Sequence, residues 1–346
     1  MKKKIIAAAM AIVVAAAMLT GCGSSSSSQN SSSNRSGKYK KMELVMAVNG
    51  TDNQIDSKVA EKFADLVSKK SGGQVTISVF PNDQLAGGNA TKGIEMVAGG
   101  SVDLAAYATS TLSVIDEKLS VGTIPWSFDT YGQAAKTIDS KGYKYYSKRL
   151  SRKGLTYLSS FHNGFRQLTN SKREVAKPSD LKGLKIRVPG SQVYMGVFKT
   201  LHADPVAMSW SEVFTAIQQG TIDGQENGIS ITSSAKMDEV QKYMTLWRYA
   251  YDSDLIIANT KVWKSLDPNT RKLLSSCSEE ASEWGRKELV KEESQLLTKF
   301  EKNGMKVTKL SDSQMDAFKK SVNSFRNQMI DFYGPEACKA FNIKKR

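Results

Sequence analysis

Only two histidines, His162 and His202, and three cysteines, Cys22, Cys277 and Cys338, occur in the 346 residues. Neither histidine sits in HExxH or another metal-ligand spacing, which excludes the common zinc-hydrolase signature. A lone histidine beside an apolar segment reads as structural. No CxxC is present, and Cys277 and Cys338 fall on different predicted helices. Two buried free thiols are the preferred reading, with a bridge left open. There is no GxSxG elbow and no GxxxxGK[ST] loop. Gly87-Gly88 and Gly99-Gly100 flank a helix without forming GxGxxG after a strand. Carboxylates are plentiful, but most fall on charged helix faces and none stands out as an acid/base pair. No catalytic residue, metal or cofactor is therefore expected. Nor is there an arginine-and-aromatic cluster or a finger pattern that would point to nucleic acid.

The chain's start has a different character. Lys2, Lys3 and Lys4 precede an apolar run from Ile5 to Leu19. That run is short for a membrane span of about 20 residues and reads as a secretory signal. It closes on Leu19-Thr20-Gly21-Cys22, which matches a bacterial lipobox. Cleavage there would leave Cys22 as a lipid-modified N-terminus, anchored to a membrane surface. Residues 23–37, GSSSSSQNSSSNRSG, hold little that can be buried and read as a flexible tether. The expected division is a signal over 1–21 and a lipidated tether over 22–38. The fold proper then begins near Tyr39. The formal net charge is +15, of which the three signal lysines supply three. The surplus favours an anionic ligand or anionic surroundings.

The remaining chain alternates strands and helices. Met42 to Val48 is a predicted strand, and Gln54 to Ser71 an amphipathic helix with Ile55, Val59, Phe63 and Leu66 on one face. Gly72-Gly73 stops that helix. Val75 to Val79 is a strand, Asn89 to Gly99 a helix, and Val102 to Ala106 a strand. This order predicts a parallel sheet with crossover helices. The second half repeats the pattern: strand 184–188, helix 191–201, strand 205–208, helix 209–219, and a strand starting at Thr221. Gly100-Ser101-Val102-Asp103 echoes Gly220-Thr221-Ile222-Asp223. Two similar α/β lobes with a cleft between them are expected, lobe I over 39–163 plus about 253–292 and lobe II over 164–252 plus about 293–346. Tyr243 to Ala258 is expected to carry the chain back between them. A helix from Asn269 to about Asn303, about 50 Å long, would span both. A further helix runs over 311–332, before Gly334-Pro335.

Four stretches point to ligand binding. GLKIRVPGS (183–191) places Arg187 in a short apolar strand that Pro189-Gly190 stops at its carboxyl end, where open α/β sheets bind ligands. Arginine's planar fork suits a carboxylate. GFRQLTN (164–170) holds Arg166 at the expected lobe crossover. MSWSEVF (208–214) opens a helix, with Ser209 or Ser211 as cap and Trp210 at its entrance. DGQENG (223–228) offers the Asn227 amide after a strand.

Residues 181–227, LKGLKIRVPGSQVYMGVFKTLHADPVAMSWSEVFTAIQQGTIDGQEN, resemble the signature region of the substrate-binding proteins of TRAP transporters, the DctP-like family. SGGQVTISVFPNDQLAGG (71–88) resembles it too. The resemblance implies an α/β fold of the two-lobed periplasmic-binding-protein type, with crossing strands and a long helix spanning both lobes. It implies an extracytoplasmic receptor that closes on an organic-acid anion and delivers it to the membrane subunits of a TRAP transporter, acting as a monomer without chemistry on the ligand. The family's carboxylate-holding strand arginine carries onto Arg187, and its GFRxxTN arginine onto Arg166. The asparagine of DGQEN carries onto Asn227, and the aromatic before SEV onto Trp210. Asn49 matches a less constant contact, and Tyr107 and Tyr249 are placed at the cleft edges. Gly228 stands where the family usually has proline, which is expected to loosen the turn after Asn227. The segment with Trp247, Arg248 and Tyr249 is bulkier than usual. DLAAYAT (103–109) lacks the glutamate of the sialic-acid binders, which disfavours sialate and leaves sugar acids and small dicarboxylates open. A ligand-binding partner of a membrane sensor, or a secreted enzyme acting on a carboxylate, are the rival readings.

Overall fold

The computed structural model describes residues 38–345. Cys22, the signal and the tether lie outside the described residues. Among the described residues no helix is long and apolar enough to cross a membrane.

Strands β1 (Met42–Val48), β2 (Val75–Phe80) and β3 (Leu104–Ala108) pair in parallel, β1 lying between the other two. Helix α1 (Ile55–Ser71) makes the first crossover. Its apolar positions Ile55, Val59, Phe63 and Val67 are all buried. It ends where Gly72 takes φ 63°, a left-handed conformation that costs glycine no Cβ clash, and the N–H groups of Gly72 and Gly73 return to Lys69 and Ser68. Helix α2 (Ala90–Gly99) makes the second crossover, capped by the Asn89 side chain on the Lys92 N–H.

The other half builds a second sheet. Strands β4 (Leu155–Phe165) and β5 (Gln167–Asn170) are separated by Arg166 alone. Then come β6 (Lys185–Val188), β7 (Asp204–Ala207), β8 (Gly224–Asn227), β9 (Tyr243–Leu246), β10 (Tyr251–Asn259) and β11 (Lys306–Lys309). The five-stranded sheet has the order β2-β1-β3-β10-β4, and the six-stranded sheet β11-β9-β5-β8-β6-β7. The chain therefore passes between sheets at Arg166 and returns between β9 and β10. Both returning strands run antiparallel, β10 to β3 and β4, and β5 to β8 and β9. The wholly parallel sheet expected from the sequence is thus limited to the βαβ units, because a strand arriving from the other half enters from the opposite end.

Helix α3 (Gln192–Thr200) joins β6 to β7, and α4 (Trp210–Gln218) joins β7 to β8. Helix α5 (Pro268–Lys302) is 35 residues long. Its N-terminal two-thirds buries Leu273, Leu274, Cys277, Ala281 and Leu289 in one apolar core with Val59 and Phe63 of α1. Its far end buries Phe300 in another, with Met244 of β9 and Met305. One helix thus spans both sheets. Gly285 allows its close approach to α1, since a Cβ there would come within 2.2 Å of Val59. Helix α6 (Asp312–Phe341) bends at Gly334, where φ is 84°, and continues to bury Cys338 and Phe341. Gly334-Pro335 is a kink, not the end expected. Cys277 and Cys338 are free and buried.

Candidate functional site

Strand β6 alternates as a pleat requires. Ile186 and Val188 enter the core, and Arg187 points to the other face, yet it is also buried at 5% exposure. Its Nε and Nη2 donate to the Met208 carbonyl at 3.0 and 2.8 Å, and its guanidinium sits 5.3 Å from the Trp210 ring centroid. Among the described residues Arg187 makes no salt bridge, and Nη1 has no acceptor. Burial, then the neighbouring charge of Arg166, pushes the guanidinium down to about 9, still ionised at neutral pH.

Arg187 faces a cavity of about 260 Å³. Elements around the five-stranded sheet contribute Asn49, Thr91, Thr111 and Ser113 to its wall, and the six-stranded side contributes Arg187, Ser209 and Trp210. Trp210 is the first residue of α4. Ser209 is the N-cap residue, as expected, but its side chain makes no capping hydrogen bond and lines the cavity. The indole Nε1 donates to Gln54 Oε1 at 3.1 Å, and Ser211 Oγ donates to the Gly88 carbonyl at 2.9 Å. These two bonds tie α4 to the opposite side of the cavity.

The other sequence-predicted residues lie behind this wall. Arg166 is buried and already neutralised. Its Nε and Nη2 fork onto the two carboxylate oxygens of Glu226 at 2.5 and 2.9 Å, Nη1 donates to Asn163 Oδ1, and Asp252 lies 3.7 Å away. Tyr249 donates its hydroxyl to Glu226 at 2.8 Å, and Tyr107 to Asp83 at 2.6 Å. Asn227 is buried at the end of β8, with Oδ1 accepting from the Gly228 N–H. Gly228 does not loosen this turn. A Cβ at that position would lie 2.8 Å from the Asn163 carbonyl, so glycine lets β8 close tightly on β4. Sequence reasoning brought Arg187, Asn49 and Trp210 to one cavity, and Arg166, Asn227, Tyr107 and Tyr249 to the core beside it.

Several residues were missed. Asp83 anchors Asn49, whose Nδ2 donates to it at 2.5 Å. Burial lifts Asp83 to about 6, against the hydrogen bonds from Tyr107 and Asn49. Glu226 lies in the DGQEN stretch, directly before the Asn227 that the resemblance singles out. Thr91, Thr111 and Ser113 carry no pattern that sets them apart from other surface hydroxyls. His162 is buried, paired with the Tyr251 hydroxyl at 2.7 Å, and burial holds it down at about 3, as befits a neutral structural imidazole. Among the described residues no group of three His, Cys, Asp or Glu is arranged to hold a metal ion.

The family model for bacterial extracellular solute-binding proteins, family 7 (DctP), matches residues 46–331. A 2,3-diketo-L-gulonate-binding periplasmic protein of Escherichia coli K12 is 32% identical over 295 residues, 85% of this chain and 88% of the relative. A C4-dicarboxylate-binding protein of Bacillus subtilis 168 is 32% identical over 281 residues, 80% of this chain and 79% of the relative. The solved structure of a TRAP periplasmic solute-binding protein from Ralstonia eutropha H16 superposes with a TM-score of 0.83 at 30% identity, covering 87% of this chain and 98% of that one. With this two-sheet architecture and this match, the chain belongs to the DctP family of bacterial extracellular solute-binding proteins.

Proposed function

We propose that the chain is a lipid-anchored extracytoplasmic receptor that captures an organic-acid anion through Arg187 and delivers it to a TRAP-type transporter. The family is one of transport receptors, and the protein is not an enzyme. Relatives of solved structure hold galactonate in one case and succinate in another. The observation that carries the reading is Arg187: a buried guanidinium with no counter-ion among the described residues, facing a small cavity. A buried charge is unfavourable unless paired, so the site is complete only with an anion in it. Lobe I is assigned to 39–163 plus about 253–292, and lobe II to the remainder. Arg166, Asn227, Tyr107 and Tyr249 are assigned to the shell that orients the wall.

Isothermal titration with small carboxylates tests the anchor. Each charge-assisted hydrogen bond contributes about 1.5–3 kcal/mol, so Arg187→Met is expected to weaken binding by roughly 100-fold or more. Tight binding retained in that variant would overturn the role. The anchor at Cys22 rests on the LTGC motif. The full chain is expected to partition into detergent when expressed in a bacterium, and Cys22→Ser to remain in the aqueous phase. Equal partition of both would remove the lipid from the reading.

A further inference from the structure

The polar groups on the cavity wall are not symmetric about the anion site. Among the described residues lining it, Arg187 is the one charged side chain. Across the cavity stands Asn49, and its orientation is fixed from behind. One Asp83 oxygen accepts from the Asn49 side-chain nitrogen, and the other takes the Tyr107 hydroxyl. A carboxylate needs a donor, so the nitrogen of Asn49 must face Asp83. Oδ1 is left on the other side, and among the described residues no donor meets it. Asp83 is itself buried at 3% exposure and has no cationic partner among the described residues. The side opposite Arg187 therefore offers a hydrogen-bond acceptor with a carboxylate behind it. Thr91, Thr111, Ser113 and Ser209 add hydroxyls.

Resting on the receptor reading above, we infer that the site selects acids with a single carboxylate and a hydroxylated chain, and that Asp83, acting through Asn49, is the positioning residue that excludes a second carboxylate. The ligand's carboxylate meets Arg187, and a ligand hydroxyl donates to Asn49 Oδ1. A second carboxylate at that end has no hydrogen to donate and meets the field of Asp83. The cavity volume of about 260 Å³ suits a small acid.

Two four-carbon acids make the comparison direct. D-erythronate ends in a hydroxymethyl group where meso-tartrate, of the same configuration, has its second carboxylate. Titration of the wild-type protein at pH 7.5 with D-erythronate, meso-tartrate and succinate is expected to rank D-erythronate first, by roughly tenfold or more over either diacid. In Asp83→Asn, the new amide still accepts the Tyr107 hydroxyl and offers a nitrogen to Asn49, which can then turn its own nitrogen to the cavity. The diacid-to-erythronate ratio of dissociation constants is expected to fall roughly tenfold in that variant. A purely structural loss would weaken all ligands together and leave the ratio unchanged, which would overturn the role of Asp83. Succinate or tartrate binding as tightly as erythronate in the wild type would overturn the ligand class, whether or not the variant folds. Binding of the diacids alone leaves the receptor reading intact. Absence of binding by every carboxylate, with these and a wider panel, would instead overturn the receptor reading itself.

Discussion

Two buried arginines in this molecule have opposite electrostatic circumstances. Arg166 is enclosed by Glu226, Asp252 and Asn163, and its fork is matched by the Glu226 carboxylate. Arg187 has a backbone carbonyl and an indole face but no anion. A base whose folded pKa lies below its unfolded value destabilises the native state at every pH below the folded pKa. That penalty shrinks only as pH rises above about 9 for Arg187. At neutral pH the unliganded protein bears it fully, and a carboxylate relieves it. The two positions should therefore respond differently to neutral replacement. Arg166→Met strands Glu226 and Asp252 in the interior and is expected to lose about 3–5 kcal/mol of stability. Arg187→Met removes an unpaired charge, leaves the Met208 carbonyl short of a donor, and is expected to stay within about 1 kcal/mol of wild type or above it. Urea unfolding of the ligand-free proteins separates the cases. An equal loss at both positions would mean that Arg187 is held by structure and not kept for a ligand.

At the scale of elements, the legible parts were those whose order is local. The periodicity of α1, its glycine stop, and the strands β1, β2 and β6 follow from short-range pattern, and each formed within two residues of its expected bounds. The short echo between the halves also has a physical basis. Asp103 follows the glycine that ends α2, and its carboxylate accepts from the Val45 N–H of β1 while its own N–H returns to the Val45 carbonyl. Asp223 does the same after α4, with both groups of Lys185 in β6. Each aspartate clamps the end of a helix to the neighbouring strand, so four residues of similar sequence mark the same joint in each lobe. The second clamp also moves β8 to Gly224–Asn227, later than the expected start at Thr221. Strand β4 was harder to read. It buries Ser159, Ser160, His162 and Asn163, which find their partners in Ser282, Arg286, Tyr251 and Asp254, roughly 90 to 125 positions away. A local pattern sees only polar residues there. The same holds for the site. Arg187 was visible because a charge in an apolar strand is anomalous by itself, whereas Asp83 became visible only once Asn49 and Tyr107 were placed against it.

For the whole molecule, the question is what holds the cavity covered. The long helix α5 fixes both sheets but makes no part of the cavity wall. The direct ties across the site are Trp210 to Gln54 and Ser211 to Gly88, both made by the first turn of α4. Gln54 is buried and does not line the cavity, so its effect on a ligand must pass through the closed arrangement. If the receptor opens and closes around its ligand, this hydrogen bond exists only in the closed state. Losing it shifts the population toward the open state without altering the groups that first meet the ligand. One neutral hydrogen bond contributes about 0.5–1.5 kcal/mol, or roughly 2- to 12-fold in an equilibrium constant. Gln54→Ala is therefore expected to raise the dissociation rate of D-erythronate by about that factor while leaving the association rate nearly unchanged. Stopped-flow fluorescence can follow this in both proteins, because the Trp210 indole lines the cavity and its surroundings change when a ligand leaves. A change confined to the association rate would place Gln54 on the entry path instead. No change in either rate would show that the Trp210–Gln54 bond does not help to hold the closed state.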